Sequence, residues 1–316
     1  MRNAFIKALG EQAKRNKNIY LATGDLGYSA FEPFIKENPR QYINVGVAEQ
    51  NLIGVSAGLA MTNKIVYAYS IATFASMRAV EQIRNDICYQ NLSVRIIGVG
   101  GGFSYGTYGA THYAIEDLAL MRSLPNMTVI APSDPAMVET VIAYSVRHKG
   151  PMYIRLGKAG EPRLHKDPKF ILERGYLMKQ GEDGTIMVTG AMLGTALEAA
   201  RILDADGFSC RVIDMPTVKP VDSKIIQKAA VETGLVVTLE EHTILGGLGS
   251  AVAEVLAESA LRVRFERIGI PDTFPKFIGS QNYLRERYGL SSHGVASVLK
   301  RLAKRSERLR NYKTKD

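Results

Sequence analysis

The sequence predicts an α/β protein built as two doubly wound domains with mostly parallel sheets. Three observations lead there. Short, β-rich apolar runs alternate with helix-period stretches along nearly the whole chain. A stretch carrying Gly157, Gly160, Pro162 and Pro168 interrupts that alternation once, near the middle. Finally, 316 residues, 46% apolar and 22% charged, exceed one typical core and have a globular rather than a disordered composition.

In the first half, strands are expected at 19–22, 42–45, 65–68, 94–99 and 127–130. Helices are expected between them at 4–15, 49–61, 79–88, 115–124 and 135–147. Residues 158–179, with scattered charge among the glycines and prolines, read as a linker across the surface. A second series then starts, with strands at 185–188, 209–213, 235–239 and 262–268 and helices at 195–204, 223–233 and 249–259. The boundary is therefore placed near residue 165, giving a domain over 1–165 and a second over 166–316 that ends in a basic tail. No repeat at solenoid periods and no low-complexity tract is visible.

Composition narrows the function classes. Met1-Arg2-Asn3 leads into an amphipathic stretch with no apolar block and small-residue cleavage site, so no secretory signal is expected. No apolar run approaches the length of a membrane span. Cys88 and Cys210 lie far apart without CxxC or Cys/His spacing; they read as buried thiols of a reducing cytoplasm, with neither a disulfide nor a protein-held metal. The net charge of +9 is uneven: residues 300–316 carry eight Lys or Arg against Glu307 and Asp316, a net of six. With one aromatic residue, Tyr312, and no nucleic-acid motif beside it, this tail reads as a solvated, fraying terminus rather than a nucleic-acid arm.

The most informative segment is Asn44-Val45-Gly46-Val47-Ala48-Glu49-Gln50-Asn51-Leu52-Ile53-Gly54. A strand ends at a glycine, and an almost wholly apolar helix begins, with Gly54 and Gly58 on a closely packing face. Glu49 stands in its first turn. Taken alone, it is either a favourable charge at the positive end of a helix dipole or an acid–base group. Likewise Asp25 is either a turn residue or a site residue, Phe74 core or a ring platform, and His112 a loop histidine or a reacting group. The glycines at 98–102 and 246–249 do not fit a dinucleotide fingerprint, and the second run reads as close helix–strand packing.

Gly46-Val47-Ala48-Glu49-Gln50-Asn51 resembles the glutamate motif of the transketolase and deoxyxylulose-phosphate synthase family. Further segments resemble that family in order and spacing: Asp25-Leu26-Gly27-Tyr28-Ser29, Thr73-Phe74 with Arg78 through Arg84, Gly109-Ala110-Thr111-His112, and Glu240-Glu241-His242 with Gly246 through Ser250. The resemblance implies that Glu49 hydrogen-bonds the aminopyrimidine of thiamine diphosphate and favours the imino tautomer, whose nitrogen takes the proton from the thiazolium carbon. It implies that Asp25, Val47 and Phe74 lie at the cofactor and that His112 faces the reacting centre. Arg2 and Ser29 are implied to hold a substrate phosphate.

The family's Gly-Asp-Gly…Asn motif, which holds Mg²⁺ and the diphosphate, is not found here. The resemblance thus implies the C-terminal subunit of a split transketolase. A partner N-terminal subunit would hold Mg²⁺ and the diphosphate, in an α₂β₂ assembly acting on a sugar or sugar phosphate. Departures concern the substrate. Tyr108 stands where transketolases carry an aspartate, Gly100 where they carry a histidine, and Lys158 where they carry a phosphate-binding arginine, with Arg155 as a nearby substitute. Two alternatives share the fold: the β subunit of a 2-oxo acid dehydrogenase E1, and a regulatory subunit without chemistry.

Overall fold

The computed structural model describes residues 1–27 and 30–313. Among these, twelve strands form two sheets. β1 (Ile19–Thr23), β2 (Tyr42–Asn44), β3 (Ile65–Ile71), β4 (Val94–Val99), β5 (Thr128–Ile130) and β6 (Met152–Leu156) run parallel in one sheet, and β10 (Thr217–Lys219) closes its far edge antiparallel to β5. Their order is β10-β5-β6-β4-β3-β1-β2. The second sheet is built from β7 (Tyr176–Lys179), β8 (Gly184–Val188), β9 (Cys210–Asp214), β11 (Leu235–Thr243) and β12 (Arg264–Ile270), in the order β12-β11-β8-β9-β7. Only β7 is antiparallel there. The two mostly parallel α/β sheets are those the alternation predicts, because strands buried on both faces need helical crossovers.

The central strands show why. Every residue of β4, β5, β6 and β8 is buried, so these strands are mostly apolar without alternation, with Arg95 in β4 and Arg155 in β6 as buried charged exceptions. The helix Glu49–Met61 covers one face through Leu52, Ile53, Ala57 and Ala60; burying such Leu and Ile side chains contributes about 1.5–3 kcal/mol each. The helices Arg2–Arg15 and Pro135–Ser145 cover the other face.

Several elements depart from expectation. β6 is not among the expected strands; its Arg155 is buried against Asp117, as Arg95 is buried inside the expected β4. β10 comes from the second half of the sequence but pairs with the first sheet. The expected linker 158–179 ends in β7, and 79–88 is a single helical turn, Val80–Gln82, followed by a π-helical stretch, Ile83–Cys88. Helix Ser292–Lys313 runs into the basic tail, and Val295, Leu299 and Leu302 recur at helical spacing and pack in the core of the second domain. Cys88 and Cys210 are both buried and unpaired. No described helix is long and apolar enough to cross a membrane.

Candidate functional site

In an open parallel sheet, ligands bind beyond the carboxyl ends of the strands, where the strand order reverses. Here the order runs outward from β1 to β2 on one side and from β3 to β4 on the other. Asp25 follows β1, Val47 and Glu49 follow β2, Phe74 follows β3, His112 follows β4 and Lys158 follows β6. Thus the predicted residues scattered over more than 130 positions leave one sheet at one edge.

Glu49 is the first residue of its helix and is only 3% exposed. A buried carboxylate is costly unless it is paired and hydrogen-bonded. Ser70 Oγ donates to Oε1 at 3.1 Å, and Arg78 Nη1 donates to Oε2 at 3.0 Å. The loop before it is set by Asn44. Its Oδ1 accepts from the backbone N–H groups of Asp25 and Gly46, both at 3.0 Å, and its Nδ2 donates to Asp25 Oδ1 at 2.8 Å. The turn uses Gly46 at φ +76° and Asp25 at φ +56°, left-handed conformations that glycine and aspartate tolerate better than most residues. Val47, at the tip, is 72% exposed.

The chain of contacts continues from Glu49. Arg78 also lies over the Phe74 ring, 4.1 Å from its centroid. Phe74 meets His112 edge-on at 5.1 Å, and His112 meets the ring of Tyr108 at 5.1 Å and Tyr105 at 6.2 Å. Lys158 Nζ sits over Tyr105 at 4.5 Å and near Tyr108 at 5.8 Å, within cation–π range. Burial, and then the charge of Arg78, hold the His112 imidazole below its ordinary value of 6.5. Arg2 opens the first helix, whose start lies beside Gly157, since Gly157 N donates to Met1 Sδ at 3.3 Å. Arg2 is close enough to Tyr105 and Tyr69 to favour their ionised forms, against the stronger effect of their burial.

Arg155 is not at this crevice. Its guanidinium lies 3.0 Å from Asp117 Oδ2 and donates to the carbonyls of Ala114 and Glu241, at the junction of the two domains. With 6% exposure it has no face left for a phosphate, which corrects its assignment as a stand-in phosphate ligand. Ser29 lies outside the described residues. Sequence reasoning gave no role to Arg78, Ser70, Asn44 or Tyr105. A signal for Arg78 existed: it follows Phe74 by four positions, the spacing that stacks side chains on one helical face.

The fold is that of a two-domain chain of the doubly wound class, with the predicted residues gathered at the carboxyl edge of the first domain's sheet. The sequence matches the family described as "Transketolase, pyrimidine binding domain" over residues 1–160 and that described as "Transketolase, C-terminal domain" over 174–295. It is 41% identical over 300 residues to a "Putative transketolase C-terminal section" of Methanocaldococcus jannaschii, covering 94% of each chain. It is 37% identical to an apulose-4-phosphate transketolase subunit of Phocaeicola vulgatus, over 94% of this chain and 95% of that protein. A solved structure described as "Split gene transketolase, inactive beta4 tetramer" superposes with a TM-score of 0.89 at 42% identity, covering 96% of this chain and 98% of the other. The chain therefore belongs to the transketolase family, and corresponds to the split, C-terminal type of subunit.

Proposed function

We propose that this chain is the C-terminal (β) subunit of a heteromeric, thiamine-diphosphate-dependent, transketolase-type enzyme of the cytoplasm. It would transfer a two-carbon ketol unit between sugars or sugar phosphates. The observation that carries this reading is the buried Glu49 carboxylate, joined through Arg78 to the ring of Phe74. The residues fit the aminopyrimidine. Arg78 presents a flat, cationic nitrogen fork to the Phe74 face and to Glu49 Oε2, so a flat ring bearing nitrogen donors suits the same two contacts. Arg78 has a path outward, because its side chain is already 51% exposed.

When bound, the cofactor would supply the carbon nucleophile that carries the two-carbon unit. The chain's own residues would do the rest. Glu49 holds a proton against a ring nitrogen, Phe74 and Val47 pack the ring, and Asp25, fixed by Asn44, borders the cofactor. His112, kept toward its neutral form by burial and by Arg78, can take a proton from a sugar oxygen. Arg2 and Lys158 lie where they could meet a substrate phosphate, with Ser29 carried by the resemblance alone. Mg²⁺ and the diphosphate fall to a partner N-terminal subunit in an α₂β₂ assembly. The split relatives support this division.

The test is reconstitution with the N-terminal subunit, thiamine diphosphate and Mg²⁺. Glu49→Gln keeps size and hydrogen bonding but cannot share the proton. Ketol transfer should fall about 10²- to 10⁴-fold, while the melting temperature changes little. Near-normal turnover in that variant would remove Glu49 from the chemistry. Release of CO₂ from a 2-oxo acid in place of ketol transfer would favour the dehydrogenase type.

A further inference from the structure

The segment between β4 and the helix Asp117–Ser123 belongs to the first domain, yet it is held by the second. Phe103 and Tyr113, near its two ends, are buried in the hydrophobic core of the second domain. Phe103 stacks on Tyr288 at 5.4 Å and meets Tyr113 edge-on at 5.2 Å. Between those anchors the second domain reaches in with polar groups. Glu241, 3% exposed, accepts from Phe103 N at 3.2 Å, from Gln281 Nε2 at 2.9 Å and from Arg285 Nη2 at 2.7 Å. Gln281 Nε2 also donates to Ser104 Oγ at 3.3 Å, and Gly279 N donates to Gly106 O at 3.2 Å.

The approach is close enough to require glycine. A Cβ at Gly106 would collide with Gly279 O and Leu284, and one at Gly102, which sits at φ +63°, would collide with Glu241. Pinned and site residues interleave almost one for one. Ser104 and Gly106 are pinned on either side of Tyr105, and Gly106 lies two residues before Tyr108. Tyr113, whose Oη lies 2.8 Å from both Gly106 O and Phe277 O and can donate to one at a time, follows His112.

We propose that Glu241 and Gln281 are positioning residues. Through Ser104 and the Phe103 backbone they set where Tyr105, Tyr108 and His112 stand, and so determine how tightly the sugar is held. The inference rests on the proposed function for its link to a sugar. Glu49 lies on a different loop, after β2, and none of its contacts involves this clamp. The sugar end of the site should therefore respond to the clamp while the proton-holding end does not.

The test uses Gln281→Met, which keeps volume and removes the amide's contacts to Ser104 and Glu241, and Ser104→Ala, which removes the loop side of the first bond together with the Ser104 bond to Gly101 O. In the reconstituted complex each should raise KM for the sugar about tenfold or more, since misplacement by about 1 Å can cost up to about a hundredfold. Exchange of the cofactor's acidic carbon-bound proton should stay at the wild-type rate. The loss in the double variant should fall short of the sum of the two single losses, because both cut the contact between Ser104 and Gln281. In the free chain, the ¹³C-labelled His112 imidazole, assigned with His112→Asn, should titrate closer to 6.5 than in the wild type, as the loop loses its packing. If the wild-type complex transfers no ketol unit, the proposed function fails, and the His112 titration still decides the clamp. An unchanged His112 titration with unchanged KM, or a lowered melting temperature as the only effect, would overturn the inference.

Discussion

Replacing Asp214 by Asn should flatten the pH dependence of stability, because the junction between the domains holds an unusual acidic pair around one histidine. His165, in the segment between β6 and β7, lies 3.4 Å from Asp134 Oδ2 through Nδ1 and 3.4 Å from Asp214 Oδ2 through Nε2. Asp134 is fully buried. It caps the helix Pro135–Ser145 through Met137 N at 2.7 Å, and it accepts from Leu164 N at 2.6 Å and His165 N at 2.7 Å. Asp214, at the end of β9, is equally buried and accepts from Ser133 Oγ at 2.6 Å. Tyr176 packs edge-on against the His165 ring.

Desolvation pushes the Asp214 carboxyl from 3.8 up to about 7, against Ser133 and His165. Burial also opposes ionisation of Asp134, but its hydrogen bonds from the His165 side chain and from three backbone N–H groups outweigh it and bring Asp134 down to about 2. Burial disfavours the His165 imidazolium too, yet the two carboxyls prevail and raise it above 6.5.

The signs then follow from linkage. A carboxyl that is less acidic folded than unfolded takes up a proton on folding, so Asp214 costs stability increasingly as pH rises from 3.8 to about 7. His165 contributes stability that is whole below 6.5 and is lost as pH rises through its folded value. Asp134 does the opposite, contributing above 3.8 and losing its contribution as pH falls through about 2. At about 1.4 kcal/mol per pKa unit, the Asp214 cost reaches about 4 kcal/mol at neutral pH. Asp214→Asn keeps the oxygen that Ser133 bonds and removes the titration. Thermal unfolding of both proteins from about pH 4.5 to 8.5 should show the variant gaining on the wild type up to about pH 7 and then running parallel, at about 2–4 °C per kcal/mol. Parallel curves across the whole range would mean that Asp214 is ionised throughout, and the reasoning fails.

Three further outcomes are expected. The isolated chain should bind thiamine diphosphate and Mg²⁺ weakly or not at all in calorimetry; micromolar affinity would refute the split site. The chain should be at least a homodimer, because the helix Glu49–Met61 leaves Met61 60% exposed and Val47 72% exposed at its ends, with Gly54 and Gly58 open between them. Since a Cβ at Gly58 meets nothing within 4 Å in the chain, Gly58→Arg should leave stability within about 1 kcal/mol while sedimentation shows the assembly dissociating. Lys158→Ala and Arg2→Ala should weaken a phosphorylated substrate by about 1.5–3 kcal/mol more than its unphosphorylated analogue; equal losses would place the phosphate elsewhere.

What could be read from the sequence was what short windows carry. Strands such as β4 and β8 are buried over their whole length because helices cover both of their faces, and apart from Arg95 and Thr185 that burial leaves an apolar mark in consecutive residues. β6 carries the same mark around Arg155, as β4 does around Arg95, and nothing nearby says that Asp117, at the start of a helix, would pair with that charge. β10 has three residues and its partner lies some ninety positions back, so no local pattern could announce it. The candidate site divides along the same line. Glu49, Asp25, Phe74 and His112 stand in recognisable segments. What makes them one site is Arg78 bridging Glu49 to Phe74, Asn44 tying two loops, and the second domain gripping the loop that carries His112. Those are contacts between residues distant in sequence, and each is made by a residue that alone looks ordinary. Arg155 shows the converse: a cation three residues from Lys158 reads as a phosphate ligand until the fold shows its guanidinium spent on Asp117 and two carbonyls. Segment-level resemblance can therefore nominate the residues that touch a ligand, but it cannot tell a free charge from a consumed one. That distinction is set by partners the chain supplies from another domain, and so the residues that position this site, Glu241 and Gln281, became visible only once both domains were in place.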